Sequence, residues 1–286
     1  MIYITGDTHN TTDMSNLSGK NMKLCCMEQN TDYKNISTAI VLGDFGLPWS
    51  SDCIIDEAGI HPSNHTDRYL LKWYNQKPFK ILAVIGNHDN YDLIEQLPEV
   101  EMFGAKVLKV CENIFYLKPG EIYTLENKRF LVLGGALSDD KAWRKPHESW
   151  WPQEEWSEKE KADCLEKIKR DNCSFDYVLS HTGPSEGIAL TDSYFSNPEN
   201  RIQLHKDSNV LFNDEIDSMI SCKKWFFGHW HSAGDMRIIR TRNMFHCNYS
   251  APKIPGIMQD FQQRQVLQLQ RRLFHVFLLS RYKNEF

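Results

Sequence analysis

The sequence predicts an α/β protein, and two observations carry that reading. Short runs of β-branched and aromatic residues recur along the chain, most of them ending in glycine or a polar residue. Segments with helical periodicity lie between them, the alternation that builds sheets covered by helices.

The strand-like runs are Ile2–Thr5, Thr38–Leu42, Lys80–Ile85, Arg129–Leu133, Asp176–Ser180 and Lys223–Phe227, several apolar throughout as burial on both faces requires. Thr66 to Gln76 reads as a helix because Tyr69, Leu70, Trp73 and Tyr74 form one stripe at i, i+3, i+4 spacing. Glu158 to Arg170 does the same through Ala162, Leu165 and Ile168. Residues 107–133 read instead as consecutive strands joined by turns, and Met236–Ile239 and Met244–Asn248 as strands that close the sheet.

Two regions stand apart. Residues 137–157 hold Trp143, Trp150, Trp151 and Trp156 among charges without a period. They form either a surface excursion near the site or a long loop anchored by buried tryptophans. Val266, Leu269, Leu273 and Val276 follow the 3-4-3 spacing of a short amphipathic helix. The expected organisation is therefore one catalytic domain, 1–257, and a helical tail, 258–286, docked outside the core or used in self-association. The tail's arginines, Arg264, Arg271, Arg272 and Arg281, are read as a solvated helix face.

Composition narrows the function. A net charge of -5 gives no general attraction to nucleic acid or anionic membrane, so neither stable nucleic-acid binding nor membrane association is expected. A phosphate-bearing substrate must be drawn by local charge, and bound metal is the obvious source. No stretch approaches the roughly 20 apolar residues of a membrane span. Met1 to Thr5 runs directly into Gly6-Asp7 without the basic and apolar regions of a secretory signal. The expectation is a cytoplasmic protein whose eight cysteines, with no CxxC pair among them, stay reduced.

The strand ends carry the chemistry. Ile2–Thr5 runs into Gly6-Asp7-Thr8-His9, Ala39–Leu42 into Gly43-Asp44-Phe45-Gly46, and Leu82–Ile85 into Gly86-Asn87-His88-Asp89. Tyr177–Ser180 runs into His181, and Trp225–Phe227 into Gly228-His229-Trp230-His231. In open α/β sheets the carboxyl ends of strands are where ligands bind. Asp7 and His9 are two apart, so in an extended segment they share a face and can grip one ion, and His229 and His231 repeat the arrangement. Asp44 stands alone with two oxygens able to bridge two cations, while Asn87 offers an amide oxygen and His181 an imidazole nitrogen. Such a mixed set suits Mn, Fe or Zn rather than Ca. Each piece taken singly has a plainer reading: Gly-Asp as a turn, His181 as a packed histidine, His229 and His231 as alternating strand residues. Their occurrence together, in order and at strand ends, favours a metal site.

The series GDTH, GDFG, GNHD, an isolated His and GHWH resembles the calcineurin-like metallophosphoesterase family over residues 3 to 231. The resemblance implies a β-sandwich of two mixed sheets flanked by helices, a four-layer architecture. It implies that Asp7, His9 and His231 hold a first metal, that Asp44 bridges, and that Asn87, His181 and His229 complete a second. His88 would be the histidine that touches substrate without binding metal. Two positions depart from the family pattern: Asn10 replaces a frequent Gly, and Gly43-Asp44-Phe45-Gly46-Leu47-Pro48 lacks the Arg and Asp of the protein Ser/Thr phosphatase motif GDxVDRG. Gly134 to Arg144 followed by Ser149-Trp150-Trp151-Pro152 resembles a bacterial subgroup of unassigned substrate.

The expected activity is hydrolysis of a phosphate ester at two divalent ions, Mn or Fe/Zn, which activate a water as hydroxide for in-line attack on phosphorus. A phosphomonoesterase is favoured, with a phosphodiesterase of cyclic or linear nucleotides as the alternative. Expected substrates are a phosphorylated small molecule, a nucleotide or a phosphoprotein. A scaffold that kept the fold and lost catalysis would be expected to lack some ligands, and none is missing. His88 is the candidate proton donor to the leaving oxygen, with Asp89 or another acid keeping it protonated. Lys141 and Arg144 are either a phosphate clamp or solvated surface charge.

Overall fold

Side-chain alternation along the first strand sets the architecture: Ile2 and Ile4 face one core while Tyr3 faces another. The computed structural model describes residues 1–191, 204 and 206–231, together with the backbone of three strands at 234–237, 244–247 and 277–279. The chain lays down β1 (Ile2–Thr5), β2 (Thr38–Val41), a small hairpin of β3 (Cys53–Asp56) and β4 (Gly59–Pro62), then β5 (Lys80–Ala83), β6 (Glu99–Met102), β7 (Ala105–Lys109) and β8 (Ile114–Leu117). It continues with β9 (Ile122–Leu125), β10 (Lys128–Leu133), β11 (Ser174–Ser180), β12 (Ser221–Phe227), β13 (Gly234–Arg237), β14 (Met244–Cys247) and β15 (Phe277–Leu279). One sheet has the order β15-β1-β2-β5-β8-β7-β6, and the other β13-β14-β12-β11-β10-β9. Their central pairs, β1–β2–β5–β8 and β10–β11–β12–β14, are parallel, and both sheets end in antiparallel strands.

The sheets pack face to face. Ile4, Ile40, Leu82 and Val84 on one side meet Phe130, Val132, Leu179 and Phe226 on the other. The outer face of the first sheet, with Tyr3, Val41 and Ile81, is covered by α1 (Gly19–Glu28) and α2 (His65–Asn75). Beyond α3 (Tyr91–Ile94), the second sheet's outer face, with Leu131, Val178 and Trp225, is covered by α4 (Glu158–Arg170) and, past α5 (Ser185–Ile188), by α6 (Ser208–Met219). The result is the expected four-layer α/β sandwich. Burial on both faces explains why the central runs are apolar at every position.

Two helix faces differ from expectation. On α2, Tyr69 is 48% exposed, and the buried positions are Asp67, Leu70 and Tyr74. Asp67 is buried because its carboxylate accepts from the backbone N–H groups of Trp49 and Ser50, a polar task that apolar periodicity does not reveal. On α4, Ala162 is exposed, and Cys164 takes the buried place one turn before Ile168. Unpaired cysteine packs as a small apolar residue.

Residues 137–157 combine both readings of the Trp-rich stretch. Trp151 is fully buried with its ring 5.5 Å from that of Trp49, whereas Trp143 is 91% exposed. In the tail expected to be helical, the described residues are those of β15, which pairs antiparallel with β1 at the edge of the first sheet. The proposed stripe of Val266, Leu269, Leu273 and Val276 lies outside the described residues. Among the described residues, no helix is long and apolar enough to cross a membrane.

Candidate metal centre

All five strand-end motifs converge on one edge, because β1, β2, β5, β11 and β12 are parallel within their sheets and end on the same side of the sandwich. The loops leave the strands abruptly. Asp7, His9, Asp44, His229 and His231 have φ of 21°, 42°, 52°, 64° and 49°. Non-glycine residues rarely adopt this region, and such strain marks functional sites. The Asp7/His9 and His229/His231 pairs therefore meet through tight turns rather than along an extended segment. Glycine is required where loops cross: a Cβ on Gly43 would sit 2.0 Å from His181 Nδ1, and one on Gly86 would sit 2.2 Å from Asp44 Oδ1. Asn10 adopts φ 60°, the conformation that a glycine would supply there, and its amide donates to Gly46 O at 3.1 Å. Asparagine tolerates this region better than most residues.

Two ligand groups form, and Asp7 belongs to both: Asp7, His9 and His231 make one, and Asp7, Asp44 and His181 the other. His9 Nε2 lies 3.2 Å from His231 Nε2 and 3.6 Å from Asp44 Oδ2. His181 Nε2 lies 2.9 Å from Asn87 Oδ1 and 3.2 Å from Asp44 Oδ1, with its Nδ1 against Leu42 O at 2.7 Å. That last bond leaves Nε2 to face the ligand groups. The His229 ring is centred 5.1 Å from His181, and its backbone N–H donates to both oxygens of Asp7 at 3.0 and 3.1 Å. Asp44 Oδ2 is buried and has no hydrogen-bond partner. A buried carboxylate oxygen without a partner is costly, and a cation between the two groups satisfies it. The residues present thus fit metal.

The electrostatics agree. Burial pushes the Asp7 carboxyl up, with His181 opposing and Asp44 adding. Burial would raise Asp44 too, but the imidazoles of His181, His88 and His9 outweigh it and hold the carboxyl well below its ordinary range. For His181, burial is outweighed by Asp44 and Asp7, so its pKa is raised to about 10. Burial, helped by His181, holds His229 well below its usual value, and burial with His9 lowers His231 to about 4. The two acids thus favour charge on His181, whereas burial disfavours it on His229 and His231 and leaves those imidazoles suited to ligation.

The family model for calcineurin-like phosphoesterases matches residues 1–233. The chain belongs to that family. Members of that family are metal-dependent phosphoester hydrolases with a dinuclear divalent metal centre, and the two groups that share Asp7 could hold metal here. No curated protein matches it in sequence. Among solved structures it is similar to a protein assigned as a 5′-nucleotidase from Staphylococcus aureus, in complex with alpha-ketoglutarate, at 14% identity and a TM-score of 0.42, covering 85% of this chain and 48% of that one. It is also similar to the sulfate thiohydrolase SoxB of Thermus thermophilus, in complex with glycerol, at 11% identity and a TM-score of 0.35, covering 81% and 36%. The chain thus spans about half or less of the length of these proteins.

Around the candidate metal centre, the remaining expected residues part company. His88 donates its backbone N–H to Asp44 Oδ1 at 2.8 Å, and its ring lies 5.4 Å from that of His9. Arg144 reaches it, with Nη2 3.4 Å from His88 Nε2 and Nη1 donating to Ser149 O at 2.8 Å. Lys141 is drawn away to Glu154 and Glu155, at 3.0 and 2.6 Å. Burial lowers the His88 pKa, with Asp44 opposing and Arg144 assisting. Asp89 is not the acid that supports His88. Its oxygens accept from Gly46 N and Gly86 N, each at 2.7 Å, and from Tyr116 Oη at 3.1 Å, so it clamps the loops after β2 and β5 together.

Sequence reasoning also missed Ser138 and Glu154. Asn87 Nδ2 donates to Ser138 Oγ at 3.0 Å, and Ser138 Oγ donates to the buried Glu154 carboxylate at 2.7 Å. This relay turns the Asn87 oxygen toward His181. The only sequence signal was the position of Ser138 shortly after Gly134-Gly135 at a strand end.

Proposed function

We propose that the chain is a phosphomonoesterase acting on a phosphorylated small molecule or nucleotide, with Arg144 as its phosphate clamp and His88 as its proton donor. Asp7, His9 and His231 would hold one ion, and Asn87, His181 and His229 the other, with Asp44 between them; the donor set suits Mn or Fe/Zn. Bound divalent ions supply Lewis-acid chemistry, lowering the pKa of a water and neutralising phosphoryl charge.

The observation that carries the reading is Arg144 Nη2 beside His88 Nε2, 3.4 Å away. A monoester presents three non-bridging oxygens, one more than a diester. Divalent ions held by the residues above would neutralise part of that charge, and the Arg144 guanidinium at the site edge would serve a remaining oxygen through charge-assisted hydrogen bonds. Once Arg144 engages phosphate, His88 Nε2 is released to hold a proton at the leaving oxygen.

Nitrophenyl phosphate and bis-nitrophenyl phosphate compared on the Mn-loaded protein test this. Arg144→Ala should lower kcat/KM on the monoester about 10- to 100-fold without changing metal content, and affect the diester far less. Preference for the diester, or equal losses on both, would mean that the site serves diesters or that Arg144 is surface charge.

A further inference from the structure

A cavity of about 350 Å³ lies beside the metal-facing edge and shares none of its residues. That volume falls within the range of small-molecule sites, about 300–1,000 Å³. We propose that it binds a small organic ammonium ion, a ligand with a compact apolar body and a cationic N–H donor.

The apolar body is called for by the walls, which include Ile85, Ile94, Leu108, Pro119, Trp156 and Cys164. The donor is called for by what stands among them. Tyr91 is 6% exposed and lines the cavity, yet its hydroxyl makes no hydrogen bond to any described residue. On the same wall, the Gln153 amide donates to Asp92 Oδ1 at 3.2 Å, and its buried Oε1 has no partner. Glu95 also lines the cavity, its carboxyl raised by the partial desolvation of its position with the Gln153 amide opposing. Buried polar groups are normally satisfied, so the unpartnered Gln153 oxygen, with the Tyr91 hydroxyl and the Glu95 carboxylate on the same wall, marks where a donor is missing.

Charge points the same way. Glu95, Glu121, Glu160 and Asp163 line the cavity against Lys118 and Lys167, and with Glu121 paired to Lys167 and Asp163 to Lys159, Glu95 and Glu160 are the acids left without a lysine among the described residues. Both lysines are spoken for, Lys118 by Glu99 and Lys167 by Glu121 at 2.7 Å. An anion would meet acids with no free cation, and a neutral apolar ligand would leave the acceptors unpaired. An ammonium satisfies both. The indole of Trp156 adds an aromatic wall of the kind that favours cations.

The probes are benzylammonium chloride, its neutral analogue benzyl alcohol, and benzoate, titrated calorimetrically into the zinc-loaded full chain. Benzylammonium should bind one per chain, benzyl alcohol about tenfold more weakly, and benzoate not at all. Tyr91→Phe and Glu95→Gln should each weaken benzylammonium several-fold and leave benzyl alcohol unchanged. Cys164→Met, which extends a side chain into the cavity, should abolish binding of both. Glu95 is exposed, so its substitution keeps the test open even if Cys164→Met fails to fold. Equal affinity for the ammonium and the alcohol, or ammonium binding that ignores Glu95→Gln and Tyr91→Phe, would overturn the proposal, as would no binding at all.

Discussion

The two sheets of the sandwich contribute unequally to one site. Loops of the first sheet supply both carboxylates, Asp7 and Asp44, the amide of Asn87, and two imidazoles, His9 and His88. Loops of the second supply imidazoles alone, His181, His229 and His231. The first sheet therefore brings buried negative charge that it cannot neutralise by itself, and the second brings donors that burial keeps from ionising except at His181. Each half is anchored to the other where they meet: His229 N–H holds the Asp7 carboxylate, and His181 Nδ1 lies against Leu42 O. The site exists only when the sandwich closes, and a cation completes the charge balance that closure leaves open.

The largest effect is expected at the acid where the two halves meet. Asp44→Asn should remove both ions and lower kcat/KM by about 10³-fold or more, because the lost charge faces both ligand groups. His9→Ala should leave Asp7, Asp44 and His181 together, and so retain about one ion per chain. Metal analysis of the two variants decides: if Asp44→Asn keeps its full metal content, the carboxylate is not shared.

Next in size is the clamp within the first sheet. Asp89→Asn retains one acceptor oxygen where two buried backbone N–H groups need one each. One donor is left unpaired, at a cost of about 1–3 kcal/mol, which thermal unfolding should show as a lowered Tm. An unchanged Tm would mean that the loops after β2 and β5 hold their places without it. A smaller change is expected behind Asn87. Ser138→Ala should weaken the second ion about tenfold, the scale of support from a ligand's hydrogen-bond partner, and leave the first ion alone. Equal weakening of both would place Ser138 in the fold rather than behind one ligand.

How far the sequence was legible follows from the same contrast. The strand-end motifs could be read because ligand types and their spacing lie within four consecutive residues, and parallel strands carry them to one edge. The partners of those ligands could not. Ser138 and Glu154 are 16 apart across an aperiodic loop, and no local pattern pairs them. Asp89 stands inside the Gly86-Asn87-His88-Asp89 motif, but its task lies across the fold at Gly46, 43 residues away. The task of Asp67 went unread for the same reason: its partners are backbone groups, which carry no sequence signature. Periodicity reports burial by apolar contact and is silent about burial by hydrogen bonding.

The smallest expected effect separates the site from the first sheet's far edge. There Glu99 is held between Lys106 and Lys118, which lower its carboxyl to about 2. A carboxyl whose folded pKa is depressed stabilises the fold above its ordinary pKa of 4.5, and that stability is lost as pH falls toward 2. The group is largely exposed, so water and salt screen the pair, and its contribution should stay below about 1 kcal/mol. Glu99→Gln should therefore cost little at pH 7 and nothing near pH 2, and the difference should shrink in high salt. Urea unfolding of both proteins at the two pH values, with and without added salt, measures it. A loss that persists at pH 2 or in high salt would mean that Glu99 packs the edge rather than charging it. Metal content should not change in either case, because Glu99 lies outside the ligand groups, whose charges are buried, and only there does one carboxylate decide whether the site forms.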